Sequence, residues 1–154
     1  MHPNAELVTG FYTAFAAGDH ETMAASYADD ATFSDPIFPA LDAEHTRSMW
    51  RMFCHSKAAP EVTFHSVQAD AASASATWEA VYAFPKTGRP VHNKVQASFE
   101  LRDGLIVRHR DDFDLYRWTR MALGPLGTVL GWTPIMQNQV RAQSAALLRR
   151  YRAG

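Results

Sequence analysis

Little in this chain could be stapled, clamped by metal or sunk in a bilayer. It has one cysteine, Cys54, so no internal disulfide can form. Its seven histidines show no His-x-x-x-His spacing, and Cys54 has only His55 beside it, so neither a metal site nor a cofactor is expected. Adjacent helical residues point about 100° apart, which also argues against a Cys54–His55 nucleophile and for Cys54 as a small apolar filler. No window approaches 18 consecutive apolar residues and the first residues lack a signal-peptide layout, so no membrane segment is expected and a cytoplasmic location is. Fifteen Lys plus Arg against sixteen Asp plus Glu leave a net charge of -1, without the positive field that nucleic-acid binding requires. No repeat or low-complexity stretch occurs. What remains is 154 residues, 47% of them hydrophobic, enough for one core and too few for two ordinary domains.

Apolar Leu7, Val8, Phe11 and Phe15 recur at helical spacing from Glu6 until Gly18. Asp19 is placed to cap a second helix, with Met23 and Tyr27 on one face, that stops near Asp29-Asp30. Ala31–Ser34 reads as a brief strand entering a turn forced by Asp35-Pro36 and Phe38-Pro39. Asp42 caps a third helix carrying His45, Met49, Trp50 and Phe53, which Pro60 ends. The period then changes from helical to alternating. Segments 61–69, 73–84, 91–102 and 105–116 read as an antiparallel meander, with Asp103-Gly104 as a two-residue hairpin turn. After Trp118, glycines 124, 127 and 131 suggest a loop-like connector, and Thr133-Pro134 opens a last helix. Its apolar side, Met136, Val140, Leu147 and Tyr151, needs burial over a cavity mouth or against a second subunit. Its arginines 141, 149, 150 and 152 read as a solvated face.

The order helix, Gly18-Asp19, helix, then Tyr27-Ala28-Asp29-Asp30-Ala31-Thr32-Phe33-Ser34-Asp35-Pro36, a third helix and four strands resembles the nuclear-transport-factor-2-like superfamily, nearest its ketosteroid isomerases and SnoaL-like polyketide cyclases. The resemblance spans about residues 5–116. It implies an α+β cone, a curved antiparallel sheet wrapped around three N-terminal helices, over residues 1–116, with 117–154 as a helical extension of the same domain. It also implies an apolar cavity taking a small apolar molecule, and a homodimer formed through the outer sheet face.

Gly88-Arg89 and Phe99, matched to that family, set the strand phase. Trp78, Ala80, Tyr82 and Phe84, then Asn93, Val95, Ala97 and Phe99, then His109, Asp111 and Phe113 should face inward. Lys94, Gln96, Arg108 and Arg110 fall on the outward phase, which supports the register independently.

Asp35 matches the family's general base, a carboxylate whose pKa apolar walls would raise. It could equally serve only to tie down the turn before Pro36. His109 and Asp111 share a strand face, as a coupled acid and base or as an ordinary strand end paired with Arg108 or Arg110. The resemblance breaks at the oxyanion hole, a tyrosine and a protonated aspartate in ketosteroid isomerase. Phe11 and Ala97 occupy those positions, so a steroid isomerase is not expected. Replacement donors could come from Tyr12, Tyr82, Trp78, Asn93 or His109. Phe11, Tyr12, Phe15, Trp50, Phe53, Trp78, Tyr82, Asn93 and Phe113 are the expected substrate-binding residues. An epoxide hydrolase would need an inward arginine beside two carboxylates, and none is evident. The reading is an acid–base enzyme of isomerase or cyclase type on a small apolar carbonyl compound; a non-catalytic binding protein or an interaction module of the same fold are the alternatives.

Overall fold

The computed structural model describes residues 1–56 and 59–154. Helix α1 spans Pro3–Ala16, α2 His20–Ala25 and α3 Ala43–His55; strands are β1 Tyr27–Ser34, β2 Leu41–Asp42, β3 Glu61–Ala69, β4 Ser73–Ala83, β5 Pro90–Arg102 and β6 Leu105–Asp112; α4 Leu115–Leu123, α5 Pro125–Leu130 and α6 Pro134–Ala153 complete the chain. The carboxylates expected as caps serve as caps: Asp19 Oδ1 accepts from the Thr22 amide at 3.1 Å and Asp42 Oδ1 from that of His45 at 2.9 Å. Each satisfies an amide that the first helical turn would leave without a partner.

The sheet runs β2-β1-β6-β5-β4-β3. It is curved and unclosed, with α1 and α3 on its inner face. The expected hairpin is present: Arg102 pairs with Leu105, and Asp103 and Gly104 take φ of 53° and 76°. Both values lie in the left-handed region that a type I′ turn requires. The inner phase of β4 to β6 is as expected, with Trp78, Ala80, Val95, Ala97, Phe99, His109 and Asp111 buried and Lys94, Gln96, Arg108 and Arg110 exposed.

Four expectations need correction. The second helix ends at Ala25, and Tyr27 opens β1, which runs parallel to β6 and pairs Phe33 with His109. Arg47 on α3 causes the early stop, since it donates to the carbonyls of Ala24 and Tyr27. The last strand ends at Asp112, because Asp114 caps α4 by accepting from the Arg117 amide at 3.0 Å. The glycine-rich connector is helical: a Cβ at Gly127 or Gly131 would collide with Thr119, so those glycines let α4 and α5 pack closely. Finally, Leu148, not Leu147, is the buried leucine of α6. Leu147 stays half exposed because it faces the mouth of the cavity.

Candidate active site

Between the inner sheet face, α1, α3 and α6 lies a cavity of about 230 Å³. Of the expected binding residues, Phe15, Trp50, Phe53, Trp78, Tyr82, Asn93 and Phe113 line it. Phe11 and Tyr12 do not, for both are fully buried on the inner side of α1. Tyr12 lies against Phe64 and Trp78, with ring centroids 5.6 and 6.0 Å away, and its hydroxyl has no hydrogen-bond partner among the described residues. Burial, with the nearby Asp111 charge, pushes that phenol well above its ordinary pKa, so it does not ionise. Cys54 is half-buried and outside the cavity.

Asp35 sits where the chain leaves β1, at the cavity wall. Pro36 turns the backbone, and Asp35 Oδ1 accepts from the amides of Ile37 at 2.7 Å and Phe38 at 2.5 Å. Such bonds favour the carboxylate form. Burial opposes them and dominates, with the Asp111 charge adding to it, so the pKa is pushed up to about 7. The turn contacts and the raised pKa thus fall on the same side chain. One oxygen ties down the turn, and both tying bonds fall on it, which leaves Oδ2 for a ligand.

Asp111 also reaches the cavity wall, while His109, fully buried, stands behind it and does not. His109 Nε2 lies 2.8 Å from Asp111 Oδ1, and Nδ1 lies 2.7 Å from the Tyr27 hydroxyl. That hydroxyl accepts from Trp50 Nε1 at 2.9 Å. One proton arrangement satisfies every member. The indole only donates, so Tyr27 directs its own proton to Nδ1, and a neutral imidazole donates from Nε2 to the carboxylate. The chain Trp50, Tyr27, His109, Asp111 thus points every donor toward one anion, and Trp78 Nε1 adds a longer contact at 3.4 Å. Arg108 and Arg110 point away and take no part.

A third group faces the void from β4. Tyr82 is kept above its ordinary pKa chiefly by burial, with Asp35 adding to the effect. Its oxygen accepts from Trp118 Nε1 at 2.8 Å, which leaves the phenolic proton available to a ligand. Among the described residues no arginine lines the cavity, and no cluster of His, Cys, Asp or Glu could hold a metal ion.

Sequence reasoning missed Tyr27, Trp118 and Ser144, whereas Leu147 stands over the cavity mouth, one of the two places expected for the apolar side of the last helix. Tyr27 was visible as part of the Tyr-Ala-Asp-Asp run but read as helical. Trp118 was hidden because the last strand was read as running to 116 and a connector as following Trp118, with no helix between them. The arginines of α6 are not all solvated: Arg141 bonds the Pro36 carbonyl, and Arg152 that of Glu44.

The SnoaL-like domain model matches residues 8–109. Among solved structures, an LEH-like epoxide hydrolase from M. tuberculosis is 23% identical, covering 85% of this chain and 97% of its own, with a TM-score of 0.67. IdmH from Streptomyces antibioticus, a candidate polyketide cyclase, is 23% identical over 76% of this chain and 96% of its own, TM-score 0.63. A protein of ketosteroid isomerase-like fold from Catenulispora acidiphila, solved in complex with trimethylamine, is 16% identical over 84% and 98%, TM-score 0.68. No curated protein matches the chain. At these identities the structures share a fold and no more, but the domain match spans about two thirds of the sequence and ends just short of Asp111. The chain belongs to the SnoaL-like domain family.

Proposed function

We propose that this protein is an acid–base enzyme of isomerase or cyclase type, acting on a small, largely apolar carbonyl compound with Asp35 as the proton-carrying base. The observation that carries the reading is a carboxylate in an aromatic cavity wall with its pKa pushed up to about 7. A base of that strength is half ionised near neutral pH and still strong enough to take a proton from a carbon next to a carbonyl. As that proton moves to Asp35 Oδ2, charge develops on the carbonyl oxygen. Tyr82 is the donor for it, since its oxygen is already satisfied by Trp118. Asn93 supplies a second polar group. Asp111 raises the basicity of Asp35, and His109 works through Asp111 rather than on the substrate. The described lining holds no arginine, which disfavours epoxide hydrolysis. The reading carries with it a homodimer paired through the outer sheet face.

The test is hydrogen–deuterium exchange at the α-carbons of a panel of small cyclic enones and aryl ketones, followed by NMR in heavy water. The wild-type protein should accelerate exchange on at least one compound, with the rate rising to a plateau above pH about 7. Equal exchange by Asp35→Asn would overturn the assignment of the base. The binding-protein reading is favoured by Phe11 and Ala97 standing where ketosteroid isomerases carry their donors. It would be adopted if no compound exchanged while native mass spectrometry found a small apolar molecule retained.

A further inference from the structure

Helix α6 lies outside the matched domain and crosses the open end of the cavity, where Ser144 and Leu147 complete the wall. Apolar burial does little to hold it there, because Val140 and Leu148 are its only buried residues out of 20. Polar contacts to three parts of the rim hold it instead. Near its C-terminus the Tyr151 hydroxyl meets His55 Nδ1 at 2.8 Å, and Arg152 Nη1 donates to the Glu44 carbonyl at 3.2 Å and to Ser48 Oγ at 2.6 Å, all on α3. From the β4–β5 loop, Lys86 Nζ donates to Gln143 Oε1 at 2.9 Å. At the third point Arg141 Nε donates to the Pro36 carbonyl at 2.9 Å, with Nη1 held by Asn138 Oδ1 at 2.9 Å.

That third contact reaches the base. The Pro36 carbonyl and the Ile37 amide are the two ends of one peptide group, and the Ile37 amide donates to Asp35 Oδ1 at 2.7 Å. A guanidinium on the carbonyl draws electron density toward it and makes the N–H at the other end a stronger donor. Arg141 therefore stands at the head of a chain running guanidinium, carbonyl, amide, carboxylate. It is the one cation bonded to this loop among the described residues.

We propose that Arg141 is a positioning residue for Asp35, acting through the Pro36–Ile37 peptide, so that seating of α6 over the cavity and orientation of the carboxylate are one event. The role rests on Asp35 being the base. With α6 seated, the void is closed over a bound substrate and the carboxylate is held by a polarised amide. With α6 lifted, substrate can pass, and the loop loses its outer anchor. The other titratable groups that face Asp35 are Asp111 from β6, whose charge acts against that of Asp35, and Tyr82 from β4, a phenol that Asp35 helps to keep protonated.

The experiment needs no substrate. The Asp35 carboxyl is titrated by ¹³C NMR in aspartate-labelled protein, its resonance identified by its loss in Asp35→Asn. Arg141→Met should raise the midpoint by about half a pH unit, roughly threefold in the acid constant, and Arg141→Lys should return most of that shift. Amide exchange of residues 134–153 should quicken in Arg141→Met. Should that variant fail to fold, Arg141→Gln removes the charge while keeping a polar side chain and is expected to shift the midpoint in the same direction. A folded Arg141→Met or Arg141→Gln with an unchanged midpoint would overturn the coupling. If the midpoint moves while Asp35→Asn keeps full exchange activity toward ketones, the coupling stands and the base has been misassigned. If Asp35→Asn loses activity and Arg141→Met moves nothing, the base stands and the coupling falls.

Discussion

The cavity carries two carboxylates that are held in opposite ways. Asp35 is tied by the amides of its own turn, two and three residues ahead. Asp111 is tied by side chains from elsewhere in the sheet, His109 on its own strand and Trp78 on β4, with Tyr27 and Trp50 behind them. A local tie fixes where a carboxyl sits while leaving one oxygen open to a proton. A tie spread over three strands and a helix fixes a carboxyl from several directions, because His109 and Trp78 both converge on Asp111 Oδ1 with Tyr27 and Trp50 behind them. On the proposed function, Asp35 is the carboxyl that exchanges protons and Asp111 the one whose charge acts on it.

The contrast predicts that the amide variants of the two acids behave differently. Asp35→Asn keeps an acceptor for the Ile37 and Phe38 amides, so its turn survives, but it cannot take a proton. Turnover should fall by about 10³-fold, within the usual range for losing a general base. Asp111→Asn leaves Asp35 in place and removes the charge that raises its pKa. The midpoint of the pH–rate profile should therefore move below 7, with a smaller loss of rate. Similar losses and unshifted midpoints in both variants would erase the distinction.

Stability should separate them too. Folded Asp35 holds its proton up to about pH 7, whereas an unfolded aspartate releases it near pH 3.9. Between these values the native state binds more protons than the unfolded state, so unfolding free energy falls as pH rises. The stabilisation is fully present below about pH 4 and gone above about pH 7, a change of at most about 4 kcal/mol. Asp35→Asn should flatten this slope in denaturant titrations across that window and be no less stable than wild type at pH 8. An identical slope in the variant would show that the carboxyl is not raised. Asp111→Ala should instead cost about 3 kcal/mol at neutral pH, since His109 and Trp78 would lose their acceptor in a dry interior.

How much of this could be read beforehand follows from the range of each contact. Asp35 was legible because its turn is written in neighbouring residues, Asp35-Pro36 and Phe38-Pro39. The inward phase of Trp78, Val95, His109 and Asp111 was legible because strands alternate and charged neighbours marked the outer face. Tyr27 was not. Its partners His109 and Trp50 are 82 and 23 residues away, and the strand it opens pairs in parallel, so no local pattern announces it. Helix propensity carried the reading past Ser26, where Arg47 from α3 in fact ends the helix. The sequence left α6 with two placements, over the cavity mouth or against a second subunit, for a similar reason: it is attached by arginines, which in a sequence look like solvent-facing charge. The resemblance pointed to a carboxylate at position 97, where Ala97 stands; Asp111 is the register partner of Ala97 on the next strand. The acid is one strand over, at the same level of the sheet.

Tyr27→Phe gives the smallest predicted effect and the finest test of the contrast. It removes one hydroxyl, leaving the Trp50 indole without an acceptor and His109 Nδ1 without a donor, while the ring still packs against Phe11 and His109. The loss should be about 1–2 kcal/mol, because two buried polar atoms lose their partner and no cavity larger than an oxygen is made. The Asp35 turn does not touch this chain, so the Asp35 midpoint should move less than in Asp111→Asn. The imidazole, by contrast, loses its bond at Nδ1 while Nε2 still meets Asp111, and its ¹⁵N shifts should report the unpaired Nδ1. If Tyr27→Phe left those shifts unchanged, the donors would not be aligned through the hydroxyl, and Asp111 would be held by His109 and Trp78 alone.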